Sequence, residues 1–366
     1  MTRRLLTLPV VALLVLSACG GGGTTGDRDT LEAMLGMVPD TGPNRQYLLY
    51  GNLARLRGDD GADEAEADLQ ALLEVSMGSF VVANPLRDAA HDVEGLRAEA
   101  GFGLTDVDAS MEAGQPPETL SVFTGRLDGE QIDQALTGSA AFAEQVQADE
   151  RGDFRTYAVG EGGGSADLAG VSLLRPIGQS LRIGVGDGTM WLAHTDEVLD
   201  GALDTAAGGA PALADDAAYA AVAQVMDRAE AFNVTLLGDA SQFTADAASI
   251  LGPRTTPEQA AEVQQQIDAG TLGIGPWQVA GLAYAPGELL VVLSHADETA
   301  AQDNAERLRR TVEEGTSAVT AERWSERLSV TSIEVDGTLV EVRLKSDVPM
   351  ATQIVLNRDT LIMIAR

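Results

Sequence analysis

Two short stretches of the chain set an imidazole beside carboxylates. His194-Thr195-Asp196-Glu197 and His295-Ala296-Asp297-Glu298 share the pattern H-x-D-E and lie 101 residues apart. Imidazole nitrogens and carboxylate oxygens are ligands for zinc or manganese. Two such corners brought together would form a site, with His194, Asp196, His295 and Asp297 as the weak candidate ligands. The same residues also read as helix starts. An Asp at the N-cap accepts the first free N–H groups, a Glu after it suits the positive helix end, and the His closes the preceding strand. No H-E-x-x-H, no C-x-x-C and no dense His cluster supports a metal. The third histidine, His91 in DAAHDVEG, has no partner at ligand spacing. The expectation is therefore helix capping, with no metal and no cofactor.

Other chemistry-bearing motifs fail on context. Gly184-Val-Gly186-Asp-Gly188 has the glycines of a nucleotide loop, but a second strand follows it where a helix is required. Glu161-Gly-Gly-Gly-Ser165 lacks a downstream Gly-Lys, and no G-x-S-x-G nucleophile elbow is present. With 56 acidic residues, choosing two as a glycosidase pair would be arbitrary. The acidic run Asp59–Asp68 lacks calcium-loop spacing and reads as a solvated helix start. Trp191 and Trp277 flank or enter strands, which favours core packing over sugar stacking.

The single cysteine, Cys19, sits in VLSACGGGG. Arg3 and Arg4 precede an apolar run that begins at Leu5 and is too short to span a bilayer, which takes about 20 apolar residues. A positive flank, a short apolar run and small residues are the order of a secretory signal. Leu16-Ser17-Ala18-Cys19 resembles the lipobox of bacterial lipoproteins. That resemblance implies recognition through Leu16, Ser17 and Ala18, cleavage by signal peptidase II, and acylation at Cys19. Two or more acyl chains anchor stably where one does so marginally. Gly20–Gly26 then reads as a flexible tether. The implied location is the extracytoplasmic face of the cell membrane. Farther along, MVPDTGPNRQYLLYGNLARLR, PPETLSVFTGRLDGEQIDQAL and PALADDAAYAAVAQVM are similar to stretches of uncharacterised envelope lipoproteins of GC-rich bacteria.

Composition limits the partners. The net charge is −32, and Lys345 is the only lysine. Nucleic-acid binding needs a basic stripe against phosphate, and none exists here. Attraction to anionic lipid is disfavoured for the same reason, which leaves the acyl anchor as the contact with the membrane. Beyond Cys19 there is no cysteine, so no disulfide supports the body, and with 4% aromatics the core must be built from Leu, Val, Ala and Ile.

The elements that position these residues are hairpins and capped helices. Asp187-Gly188, Pro286-Gly287 and Asp336-Gly337 each separate two apolar-rich runs, which reads as three hairpins. The first two run through H-x-D-E into a helix, suggesting a duplicated ββα unit. Thr119–Thr124 and Phe154–Val159 read as strands. Asp128 should cap DGEQIDQALTG, and Thr256-Pro257 should open another helix.

The expected fold is α+β, with antiparallel hairpin-based sheets and helices packed on one face. The expected segments are a signal peptide at 1–18, a tether at 19–29, and two related lobes at 30–240 and 241–366. The function expected is that of a membrane-anchored, non-catalytic binding or envelope-associated module. The alternatives are a solute-binding protein of a transporter and, on the His/Asp/Glu corners alone, an extracytoplasmic hydrolase.

Overall fold

The structure, a computed structural model, describes residues 28–57, 82–84, 86–89, 91–139, 142, 146–161, 170–238, 240–245, 256–285, 287–317, 319–320, 322–346, 354–355 and 358–365. The signal and tether, including Leu16, Ser17, Ala18 and Cys19, and the acidic run Asp59–Asp68 lie outside them.

The strands are β1 (Leu48–Asn52), β2 (Val107–Ala113), β3 (Leu120–Gly125), β4 (Val146–Arg151), β5 (Phe154–Val159), β6 (Leu181–Gly186), β7 (Thr189–Ala193), β8 (Asn233–Leu237), β9 (Thr244–Ala245), β10 (Val279–Ala285), β11 (Glu288–Ser294), β12 (Leu328–Asp336), β13 (Leu339–Ser346) and β14 (Ile364–Ala365). The helices are α1 (Leu31–Leu35), α2 (Gly42–Gln46), α3 (Leu53–Arg57), α4 (Leu86–Ala89), α5 (Val93–Ala100), α6 (Gly129–Gly138), α7 (Asp196–Ala206), α8 (Ala217–Arg228), α9 (Pro257–Ala269) and α10 (Glu298–Glu314).

Twelve strands form one antiparallel sheet in the order β12-β13-β11-β10-β8-β1-β2-β3-β7-β6-β5-β4, while β9 and β14 make a small parallel pair. The α+β class is as expected. The sheet runs unbroken past residue 240, because β8 pairs with both β1 and β10. Outward from the central β1/β8 pair, the order β2-β3-β7-β6 matches β10-β11-β13-β12, with β5-β4 as an addition on one side. Each half thus repeats a hairpin, a helix and a second hairpin. Asp128 caps α6 after β3, and Asp297 caps α10 after β11. The two H-x-D-E units are both present as β6-β7-α7 and β10-β11-α10. They occupy unlike places in the sheet, so the internal symmetry runs through β2-β3-α6 instead.

Helices cover both faces rather than one, because many strands present apolar side chains to both sides. On the first face, Tyr50, Met111, Val122, Trp191, Val234 and Val292 are buried under α1, α7 and α8. The second face carries two separate cores. One lies over β3, β5, β6 and β7 beneath α5 and α6, with Phe123, Ile183 and Leu192 buried in it. The other lies over β8, β10, β11 and β13 beneath α10, with Leu282, Val291, Leu308 and Trp324 buried in it.

One row across the second face shows why the cores separate. Its register runs Tyr157, Ile183, Leu192, Ser121, Glu112, Leu49, Thr235, Leu282, Val291, Val342. The row is apolar towards both ends and polar in the middle. Apolar burial drives the helices onto the ends. The central strands β1, β2 and β3 become the floor of a groove between the two cores. The sheet's outer edges are blunted: β4 carries Asp149, Glu150 and Arg151, and β12 carries exposed Glu334 and Asp336 with a bulge between Val330 and Ser332.

Candidate functional site

The two H-x-D-E corners do not meet. β7 and β11 point the same way and stand six strands apart, which at about 4.8 Å per step is roughly 29 Å. Each residue has its own local partner. His194 Nδ1 lies 3.1 Å from the Ser180 carbonyl, and Ser180 Oγ donates to the His194 carbonyl at 2.8 Å. Asp196 does not cap its helix. Thr195 does, accepting from Val198 N at 3.3 Å, while Asp196 pairs with the buried Arg182 Nε at 2.5 Å. Asp297 does cap α10, accepting from Ala300 N at 2.8 Å. His295 is buried, with Nδ1 3.1 Å from the Thr338 carbonyl and Nε2 2.7 Å from Asn304 Nδ2. An amide nitrogen donates, so Nε2 accepts and the proton sits on Nδ1. Burial holds this imidazole below its ordinary pKa, as a neutral ring. Among the described residues no group of three or more His, Cys, Asp or Glu side chains is placed to hold a metal ion.

The groove holds two cavities, each of about 360 Å³, that share Glu112 and Pro116. The first lies over β2, β3 and β7. Its walls are Pro116, Leu174, Pro176, Ile177, Leu181 and Leu192, and its polar lining includes Asn84, Glu112, Thr119, Ser121 and His194. The second continues over β1 and is lined by Tyr47, Leu49, Arg87, Phe243 and Arg358, among others. Burial, and then the charge of Glu112, push the Tyr47 phenol well above its ordinary pKa.

Three pairs of hydrogen bonds build the first cavity. Residues 82–84 are tied to the floor: Ser110 Oγ accepts from Ala83 N at 3.2 Å, and Glu112 Oε2 accepts from Asn84 N at 2.9 Å. The loop over the cavity is held from α5, where Glu99 accepts from Leu173 N at 3.1 Å and Leu174 N at 2.8 Å. Within that loop the buried Arg175 guanidinium donates to the carbonyls of Gln179 at 2.6 Å and Gly178 at 3.0 Å. This fixes Pro176 and Ile177 at the rim, and Ile177 is 56% exposed.

Two buried polar atoms of this lining, Asn84 Oδ1 and Thr119 Oγ1, have no hydrogen-bond partner. A buried polar group left unpaired costs about 1–3 kcal/mol. Ser121 and His194 share the cavity, and no hydrogen bond joins them among the described residues.

Sequence reasoning pointed to none of Asn84, Glu112, Thr119 or Ser121. The available signal was Glu112 and Ser121, polar residues between the apolar Met111, Ala113, Leu120 and Val122 of their strands. It becomes visible only once the register pairs them.

No protein-family model matches the chain, and no curated protein matches it. A search of solved structures returns one described as "Structure of crystal form III of TP0453". It is 8% identical, covers 85% of this chain and 93% of its own, and has a TM-score of 0.41, too low to carry an argument.

Proposed function

We propose that this chain is a lipid-anchored extracytoplasmic module that binds a ligand through the central groove and performs no chemistry on it. The observation that carries the binding part is the groove itself. Two cores on one sheet face leave a groove over the middle strands, and the cavity there has apolar walls with Glu112, Ser121 and His194 in its polar lining. The anchoring part is supported by Arg3, Arg4, the apolar run and Leu16-Ser17-Ala18-Cys19.

The test is mass spectrometry of the protein isolated from its native membrane, denatured and native, beside Cys19→Ser. The denatured mass should fit residues 19–366 plus acyl chains. The native spectrum should show a non-covalent adduct that denaturation removes. Cys19→Ser should lose the acyl mass and leave the membrane fraction. Equal membrane fractionation of the variant sinks the anchor, and a native spectrum without any adduct sinks groove binding.

A further inference from the structure

We infer that the cavity over β1 takes an amphiphile with a carboxylate head and an aliphatic body. This deepens the groove-binding reading and rests on it. The groove is opposite in sign to the chain around it. The chain has 56 acidic and 24 basic residues. Among the described residues, the basic lining of the two cavities is Arg87, Arg175 and Arg358, and the carboxylate lining is the shared Glu112. Arg175 is buried and held by the carbonyls of Gln179 and Gly178. Arg87 and Arg358 line the cavity over β1, the first half-buried and the second exposed.

Arg358 forms no ion pair among the described residues. Its φ is +48°, in the left-handed region that residues other than glycine seldom adopt. The turn is fixed by its own backbone: the Val355 carbonyl accepts from Arg358 N at 3.0 Å, and the Ile354 carbonyl accepts from Asp359 N at 2.8 Å. Backbone held in such a region clusters at ligand-binding positions.

These groups set the head. A guanidinium only donates, in a fork that fits the two oxygens of a carboxylate, which only accepts. Tyr47 adds a third donor. Its hydroxyl has no hydrogen-bond partner among the described residues. It stays protonated because burial raises its pKa, while Glu112 and Arg87 act on it in opposite senses. Gln46 and Gln115 donate or accept and so favour no head. Glu112 opposes an anion, but its Oε2 already accepts from Asn84 N at 2.9 Å. Two guanidiniums against that one carboxylate leave room for a single negative charge. A phosphate monoester carries about −1.5 to −2, which exceeds it. The negative charge of the rest of the chain is screened beyond about 8 Å at physiological salt, so the lining decides. The body follows from Leu49, Leu237, Phe243 and Val355, all buried, which offer apolar contact alone. A volume of about 360 Å³ is at the small end for small-molecule sites and suits one short chain.

The experiment uses the full chain, washed free of bound lipid and returned to phosphatidylcholine nanodiscs, followed by hydrogen exchange. The probes are decanoate, 1-decanol and decyl phosphate. Protection confined to 46–49, 112–115 and 358–359 reports the cavity. Partitioning into the bilayer is the same for wild type and variant, so the shift between them reads the site. Arg358→Gln changes an exposed side chain, and it should raise the decanoate concentration for half-protection roughly fivefold while leaving that for 1-decanol unmoved. Tyr47→Phe keeps the ring and should raise it about threefold.

Decanoate protection that neither substitution moves overturns the assignment, as does an equal shift with 1-decanol. Protection by decyl phosphate without protection by decanoate overturns the carboxylate head. If no probe protects the cavity while a native adduct is still seen, this assignment falls and groove binding stands. If neither is seen, both fall.

Discussion

His295 Nε2 lies 2.7 Å from Asn304 Nδ2, and this contact ties the end of β11 to the middle of α10. Asn304 in turn accepts from Gly275 N at 2.5 Å and donates to the Gly275 carbonyl at 3.0 Å. The ring is therefore a neutral acceptor inside a buried network. A second proton would place a donor against a donor.

This has a pH consequence of definite sign. Burial lowers the folded pKa of His295 below 6.5, against smaller opposing pulls from the Thr338 backbone and then from Asp297. Below pH 6.5 the unfolded chain binds a proton that the native chain refuses, so stability falls as pH falls. One proton bounds the slope at about 1.4 kcal/mol per pH unit. Urea midpoints of wild type and His295→Gln at pH 7.5 and 5.5 measure it. The wild type should lose more between the two pH values than the variant, which has no titrating ring.

Asp227, in the last turn of α8, accepts from the backbone N–H groups of Leu31 at 2.9 Å and Glu32 at 3.0 Å. Thr30 Oγ1 takes a third, from Ala33 N at 3.2 Å. A helix as short as α1 cannot hold itself together. Yet it delivers Leu31, Met34 and Leu35, all fully buried, to the first-face core. Asp227→Ala should cost about 1–2 kcal/mol in urea denaturation. Asp227→Asn keeps one acceptor and should cost less. Equal losses would show that the carboxylate caps nothing.

The side chain of Arg182 is 6% exposed and that of its partner Asp196 is 68% exposed. The buried partner decides the cost. Besides Asp196, Arg182 donates to the Val159, Gly160 and Leu181 carbonyls at 3.0–3.4 Å. Asp196→Asn should cost about 1–2 kcal/mol, because the guanidinium stays buried with only carbonyls around it. In an Arg182→Met background the same change should cost close to nothing. A double-mutant cycle by denaturation reads the difference. An additive cycle would mean that Asp196 acts only through the helix end.

Much of the local structure was legible in the sequence. The turns expected at Asp187-Gly188, at Gly287 and at Asp336-Gly337 fall at hairpins, with φ of +63°, +79° and +57° at the three glycines. Asp128 caps α6, and Thr256 with Gln259 forms the capping box of α9 behind Pro257. Asp196 was misread because Thr195 beside it can also cap and a buried arginine claims the carboxylate. The sheet order was not legible. β8 pairs with β1, about 185 residues earlier, and no local pattern states which strand edges meet. The cavity draws on Asn84, Glu112, Thr119, Leu174, Ile177 and His194, which the β2–β3 and β3–β7 pairings bring together. Local chemistry fixed the caps and turns, whereas the site depends on long-range register.

Gly281 in the middle of β10 faces α8. A Cβ there would meet Met226 Cε at 2.7 Å, Val222 Cγ1 at 2.8 Å and Leu236 Cδ2 at 3.1 Å. Gly184 in β6 does the same under α7, where a Cβ would meet Leu203 Cδ2 at 2.9 Å and Leu199 Cδ1 at 3.2 Å. A glycine inside a strand weakens it, so its presence asks for a reason. Here the reason is helix approach: the missing side chain lets an apolar helix face settle onto the sheet. Neither residue has the left-handed φ found at the turn glycines, so an alanine meets only the neighbouring side chains. Met226 ends in a flexible thioether and can move, but Val222 is branched and fixed in its helix. Gly281→Ala should therefore destabilise by about 1–3 kcal/mol through overpacking, and Gly184→Ala by less, since both of its neighbours are leucine termini. Adding Val222→Ala to Gly281→Ala should restore part of the loss, because it removes one of the two closest atoms. If Gly281→Ala instead stabilises the protein, α8 does not lie against β10, and the first-face core is packed differently from the one described.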